Sequence, residues 1–170
     1  MKGKVHVYTG NGKGKTTSAL GLALRAAGAN LKVFIGQFAK GRKYSELKSL
    51  KKIENIKVEQ FGQNYFINGE ATKENINSAK IGFQKIKDIL KSGEYEIVIL
   101  DEANIATFYD LFSVEDLIKI IDNRANNVEV IITGRMADPK VIDYADLVTE
   151  MKEIKHYYQQ GVVAREGIEM

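Results

Sequence analysis

An apolar strand that runs straight into a glycine-rich loop and on into a helix leaves a chain few folds to choose from. Here Val5-His6-Val7-Tyr8 leads through Thr9 into Gly10-Asn11-Gly12-Lys13-Gly14-Lys15-Thr16-Thr17. Three glycines let the backbone curl so that successive N–H groups converge on an anion. Lys15 adds a mobile positive charge, and Thr16 offers a hydroxyl where a magnesium ion would sit on the phosphates. The helix that starts at Gly14 contributes the positive end of its dipole. The usual phosphate-loop pattern is G-x-x-x-x-G-K-[ST]. Gly14, Lys15 and Thr16 fit it, but Thr9 stands where the first glycine belongs.

Downstream, strand and helix patterns alternate. Strands are expected at 3–8, 32–36, 56–60, 95–100, 128–132 and 146–150, and helices at 15–28, 44–52, 72–91, 113–123 and 139–144. Thr72 with Asn75, Ser113 with Asp116, and Pro139 at a first helical position mark helix starts. Continuous apolar strands separated by helices imply an α/β fold, a mostly parallel sheet with helices on both faces. Ligands in such sheets bind beyond the carboxyl ends of the strands, so the loops after strands should carry the chemistry. The segment 152–170 has little periodicity and reads either as a tail laid over the site or as a frayed end.

Size and composition narrow the class. With 170 residues the chain is expected to form a single domain, residues 1–170. No apolar run approaches the roughly 20 residues needed to span a bilayer. The N-terminus lacks a signal-peptide pattern and there are no cysteines, so a cytoplasmic protein without disulfides or thiol nucleophiles is expected. The net charge of +3 is a mild excess. The densest basic stretch (Lys40, Arg42, Lys43, Lys48, Lys51, Lys52, Lys57) is interrupted by Glu46 and Glu54 and reads as a solvated helix face rather than a nucleic-acid patch.

Three further loops follow strands. Asp101-Glu102 comes directly after Ile97-Val98-Ile99-Leu100. An acid there can hold magnesium directly or through water, and a helix N-terminus is the competing reading. Thr133-Gly134-Arg135 places an arginine where it either reaches phosphates or makes a surface salt bridge. Gln37 lies where a polar side chain could approach a nucleotide. Phe61, Tyr65 and Phe66 cluster in a Gly/Asn-rich loop as candidates for ligand contact. His6 reads as packing inside a strand, and His156 is not expected to act as a base.

With these loops in place, the chain closely resembles the ATP:corrinoid adenosyltransferases. The resemblance rests on TGNGKGKTT (9–17), QF-x-KG (37–41), ILDEANIA (99–106), VIITGR (130–135), ADLVTEM (145–151) and KHYYQQGVVAREGIE (155–169). That family's loop also begins with Thr, so Thr9 becomes a point in favour. The resemblance implies a phosphate-loop NTPase-like, RecA-like fold. It implies an enzyme that transfers the 5′-deoxyadenosyl group of ATP to the Co(I) of a corrinoid and releases triphosphate. Thr9, Gly10, Asn11, Gly12, Lys13, Gly14, Lys15, Thr16, Thr17, Gln37 and Arg135 are then expected at the nucleotide. Thr16, Glu102 and Asp101 are expected at Mg2+, with Lys15 and Glu102 the residues that carry catalysis. Phe61, Tyr65, Phe66 and Ile67 would lie against the corrin, Ile67 standing where some members have Trp. Better-known members also carry an N-terminal extension over the site; this chain begins its first strand at residue 3, so that cover is absent or supplied otherwise. The family further implies a homodimer and a flavoprotein reductant, and gives no role to membrane or nucleic acid. The rival readings are a phosphate-loop ATPase or kinase, with Asp101-Glu102 as magnesium acid and water-activating base, and a nucleotide or corrinoid binding protein without catalysis.

Overall fold

In the computed structural model, which describes residues 2–39, 41, 44–62 and 69–169, the strands form one six-stranded sheet in which every pairing is parallel. The strands are β1 (Val5–Thr9), β2 (Val33–Gln37), β3 (Ile56–Gln60), β4 (Ile97–Asp101), β5 (Glu129–Thr133) and β6 (Leu147–Glu150), in the order β3-β2-β4-β5-β1-β6. The helices are α1 (Lys15–Gly28), α2 (Ser45–Leu50), α3 (Lys73–Ser92), α4 (Ala103–Phe108), α5 (Val114–Asp122) and α6 (Pro139–Tyr144). The expected mostly parallel α/β sheet is therefore wholly parallel among the described residues, in the manner of a phosphate-loop NTPase.

Alternation along each strand builds two cores. Val98 and Leu100 of β4 join Phe34, Val130 and Ile132 on one face, packed on Ile86 and Leu90 of α3 and Leu117 and Ile121 of α5. Ile97 and Ile99 point the other way, with Val33, Ile35 and Ile131, onto Ala19, Ala23 and Ala26 of α1. Strands buried on both faces need apolar residues at successive positions, which is why β4 reads as an unbroken run. Each large side chain so buried contributes roughly 1.5–3 kcal/mol.

Helix starts follow local hydrogen bonds. Thr72 Oγ1 accepts the Asn75 N–H at 3.2 Å while the Thr72 N–H donates to Asn75 Oδ1 at 3.0 Å, a reciprocal cap that opens α3. Ser113 Oγ accepts the Asp116 N–H at 3.1 Å at the head of α5. Pro139 occupies the first turn of α6. α4 is not expected from the sequence: Glu102 turns directly from β4 into it with φ 60, and six residues are too few to show a helical period.

Because every strand runs the same way, the segments after β1, β2, β4 and β5 all emerge at one edge. Register then sets polar residues side by side there. Gln37 of β2 stands opposite Asp101 of β4 and Gln60 of β3.

Candidate active site

The segment from Gly10 to Gly14 curls at this edge. Gly10 and Gly14 hold φ of 96 and 119, conformations that residues with a Cβ rarely adopt. Thr9 needs no such freedom. It ends β1 opposite Glu150, and its carbonyl accepts the Met151 N–H at 2.8 Å. The positive φ that a first glycine would supply is taken one residue later, by Gly10. Gly12 is pressed from behind: its N–H donates to the Met151 carbonyl at 2.7 Å, and a Cβ there would lie 2.7 Å from that same oxygen.

Lys15 is buried, and its Nζ donates to the Gly12 carbonyl at 2.7 Å, so the ammonium sits inside the curl. Thr16 Oγ1 donates to Asp101 Oδ1 at 2.8 Å. With its proton committed there, the hydroxyl oxygen can offer a lone pair to a cation. Asp101 is itself 1% exposed and gathers two more donors, Thr133 Oγ1 on Oδ1 at 2.6 Å and Gln37 Nε2 on Oδ2 at 3.1 Å. Gln60 Nε2 in turn donates to Gln37 Oε1 at 3.1 Å. Asp101 therefore stands behind Thr16 as an orienting carboxylate. Glu102, in its left-handed turn, is held by its N–H donating to Thr133 Oγ1 at 3.1 Å. Thr133 is the residue sequence reasoning missed as a partner: one hydroxyl serves both acids, and only the adjacency of β4 and β5 reveals it.

A cavity of about 940 Å³ opens in front of this edge, lined by Gly12 to Thr17, Glu102 and Arg135. Ile105 and Tyr109 of α4 and Tyr44, Ser45 and Glu46 at the start of α2 complete much of its wall. Arg135 is exposed at its rim. Thr9, Gly10 and Asn11 shape the curl from outside the cavity lining, and Gln37 is fully buried behind Asp101. The tail crosses the opening: His156, Gly167, Ile168 and Glu169 stand in the same wall. Of the two readings of segment 152–170, a tail laid over the site is the one observed for its described residues, 152–169. His156 caps a short 3₁₀ turn at Tyr157–Gln160 by accepting the Tyr158 N–H on Nδ1 at 3.1 Å.

Phe61 does not face this cavity. It is 7% exposed and packs on Phe38, ring centroids 5.6 Å apart, so closely over Gly82 that a Cβ on that glycine would lie 2.2 Å from the ring. Contact between its ring and a corrin would require the core to open. Tyr65, Phe66 and Ile67, like Lys40, Arg42 and Lys43, lie outside the described residues. His6, expected to pack inside its strand, is half-buried on β1 with Nε2 2.7 Å from Glu129 Oε1.

Among the described residues no three His, Cys, Asp or Glu side chains gather as a metal cluster. The donor set at Thr16, Asp101 and Glu102 is nonetheless all hard oxygen. That fits magnesium, which takes one or two protein oxygens and completes its shell with phosphate and water.

Comparison with known proteins agrees with this geometry. The family model described as ATP:corrinoid adenosyltransferase BtuR/CobO/CobP matches residues 1–170. Corrinoid adenosyltransferase of Escherichia coli (strain K12) is 31% identical over 168 residues, covering 99% of this chain and 86% of that protein. The Pseudomonas aeruginosa protein of the same name is 31% identical over 170 residues, 99% and 84% of the two chains. Corrinoid adenosyltransferase CobA of Salmonella typhimurium is 32% identical over 168 residues, 99% and 86%. A glycine curl holding a buried lysine, an acid pair at the end of β4 and a match that runs the length of the sequence place this chain in the ATP:corrinoid adenosyltransferase family, a family of transferases.

Proposed function

We propose that this chain moves the 5′-deoxyadenosyl group of ATP onto the Co(I) of a bound corrinoid. The observation that carries the reading is the curl at residues 10–17, which presents Lys15 and Thr16 to the cavity beside Glu102 in a chain that matches the family throughout. The cobalt electron pair forms a bond to C5′, and the bond between C5′ and the triphosphate oxygen breaks, that oxygen leaving with its pair. Nothing in this step needs a protein base, because the nucleophile carries no proton.

The protein's task is to hold the nucleotide and stabilise the leaving group. Backbone N–H groups of Lys13 to Thr17 and the Lys15 ammonium meet the charge that develops on triphosphate. On binding, Lys15 exchanges the neutral Gly12 carbonyl for an anionic oxygen, a bond roughly twice as strong. Thr16 and Glu102 would hold Mg2+ at the cavity wall with Asp101 behind them, and the ion would supply further neutralisation of phosphate charge. Arg135, at the rim, adds a cation within reach of the same site. Tyr65, Phe66 and Ile67 remain the corrin-side residues of the proposal, without Phe61.

The same reading has the chain act in the cytoplasm as one domain that pairs into a homodimer, with a flavoprotein supplying electrons to cobalt. No helix among the described residues is long and apolar enough to cross a membrane, which accords with it. The test is product identity. With ATP, magnesium and chemically reduced cobalamin, the visible spectrum is expected to shift to that of an alkylated cobalt while triphosphate accumulates. ADP and phosphate without a spectral change would overturn the proposal in favour of an ATPase.

A further inference from the structure

The two lysines of the glycine loop point in different directions. Lys15 turns inward onto Gly12. Lys13 turns outward, and its Nζ donates to Glu169 Oε1 at 2.7 Å, the Ile168 carbonyl at 3.1 Å and the Tyr157 hydroxyl at 3.2 Å. An ammonium has three protons, and all of Lys13's are committed to the tail. Its side chain has none left for a phosphate.

On the tail side the partner is equally occupied. Glu169 accepts the Arg165 backbone N–H at 2.9 Å and the guanidinium at 3.2 and 3.3 Å, and also the Tyr157 hydroxyl. The Arg165 guanidinium lies 5.0 Å over the Tyr157 ring and the Lys13 ammonium 5.9 Å from its centroid. Arg165 and Lys13 hold the Glu169 carboxyl well below the usual carboxylate range, so it is charged at any working pH. Apolar packing does little to fix this segment: Tyr158 is 72%, Val163 71% and Ile168 56% exposed. What keeps it against the loop is the polar knot.

We infer that Glu169 is a positioning residue for the nucleotide. Through Lys13 it fastens the C-terminal segment as the outer wall of the triphosphate cavity, and the Lys13 side chain serves as that anchor rather than as a phosphate ligand. The inference rests on the nucleotide-binding reading above and narrows the part Lys13 plays at the nucleotide to its backbone. Its backbone N–H remains part of the curl. The wall shields bound ATP from water, and loosening it speeds nucleotide escape.

The experiment measures ATP affinity calorimetrically without corrinoid, for E169Q, K13M and the double variant, alongside trypsin cleavage at Arg165 in the nucleotide-free chain. Each single change is expected to weaken ATP about five- to tenfold, the scale of roughly 1 kcal/mol, and to speed cleavage. The double variant should be no weaker than either single one, because both remove the same contact. In turnover, E169Q should raise KM for ATP rather than lower kcat, and leave KM for the corrinoid unchanged. Unchanged or tighter ATP binding in E169Q would overturn the inference, as would additive losses in the double variant. So would a loss in K13M that E169Q does not share, since that marks Lys13 as a phosphate ligand. Because neither binding nor proteolysis depends on adenosyl transfer, a chain that fails to alkylate cobalt yet shows these losses would refute the function and leave the wall standing.

Discussion

Replacing Thr133 with valine removes one oxygen and leaves the shape of the side chain nearly unchanged. That oxygen donates to Asp101 Oδ1 at 2.6 Å and accepts the Glu102 N–H at 3.1 Å, within a residue that has no exposed surface. The bond to a carboxylate is worth roughly 1.5–3 kcal/mol, and stripping the part-buried Glu102 N–H of its acceptor costs roughly 1–3 kcal/mol more. T133V is therefore expected to lose about 3–5 kcal/mol, with no cavity to blame. In thermal unfolding, a chain of this size shifts roughly 2–4 °C per kcal/mol, so the midpoint should fall by about 6–20 °C. T133S keeps the hydroxyl and loses only a methyl, on the order of 1 kcal/mol. The same bond helps hold Glu102 at φ 60, a conformation that costs a residue with a Cβ about 1–2 kcal/mol. T133V thus frees Glu102 to leave the cavity, and magnesium-dependent ATP binding should weaken in T133V but not in T133S. A T133V loss below about 1 kcal/mol, or one equal to that of T133S, would refute the view that Thr133 ties the two acids together.

Other perturbations separate other parts of the molecule. K15A takes the buried ammonium out of the curl, and adenosyl transfer should fall about 10²- to 10³-fold; near-normal turnover would contradict its role at the leaving group. Tyr144 donates to Asp122 Oδ1 at 2.7 Å, and partial burial first, that bond second, push its hydroxyl up to about 12. A pKa raised on folding gives stability that is fully present below the unfolded value of 10.0 and lost as pH climbs toward 12. Y144F should therefore show a shallower fall in urea stability across that window than the parent chain; superimposable profiles would sink the argument.

Much of the architecture was legible because it is written locally. The apolar runs at 97–100 and 130–132 belong to strands buried on both faces, and a double-covered sheet needs such runs. Thr72, Ser113 and Pro139 mark helix starts because a cap is satisfied within three residues of itself. α4 escaped notice because a left-handed glutamate opens it in place of a capping side chain. The aromatic cluster was only half readable. Phe61 carries no sign in the sequence that Gly82 clears a place for its ring beneath α3.

By itself the sequence determined that a glycine curl follows a parallel strand, that acids close a second strand, and that the whole resembles one transferase family. These follow from short-range steric and periodic rules. Tertiary structure alone decided which strands are neighbours, and with that what the acids do. Asp101 meets Thr16 across 85 residues and Thr133 across 32, which makes it the orienting member of the pair and leaves Glu102 at the cavity. It also decided that Lys13 and Glu169, 156 residues apart, share a bond. No local pattern encodes such contacts, because they exist only once strand order and register have brought distant side chains within hydrogen-bond reach.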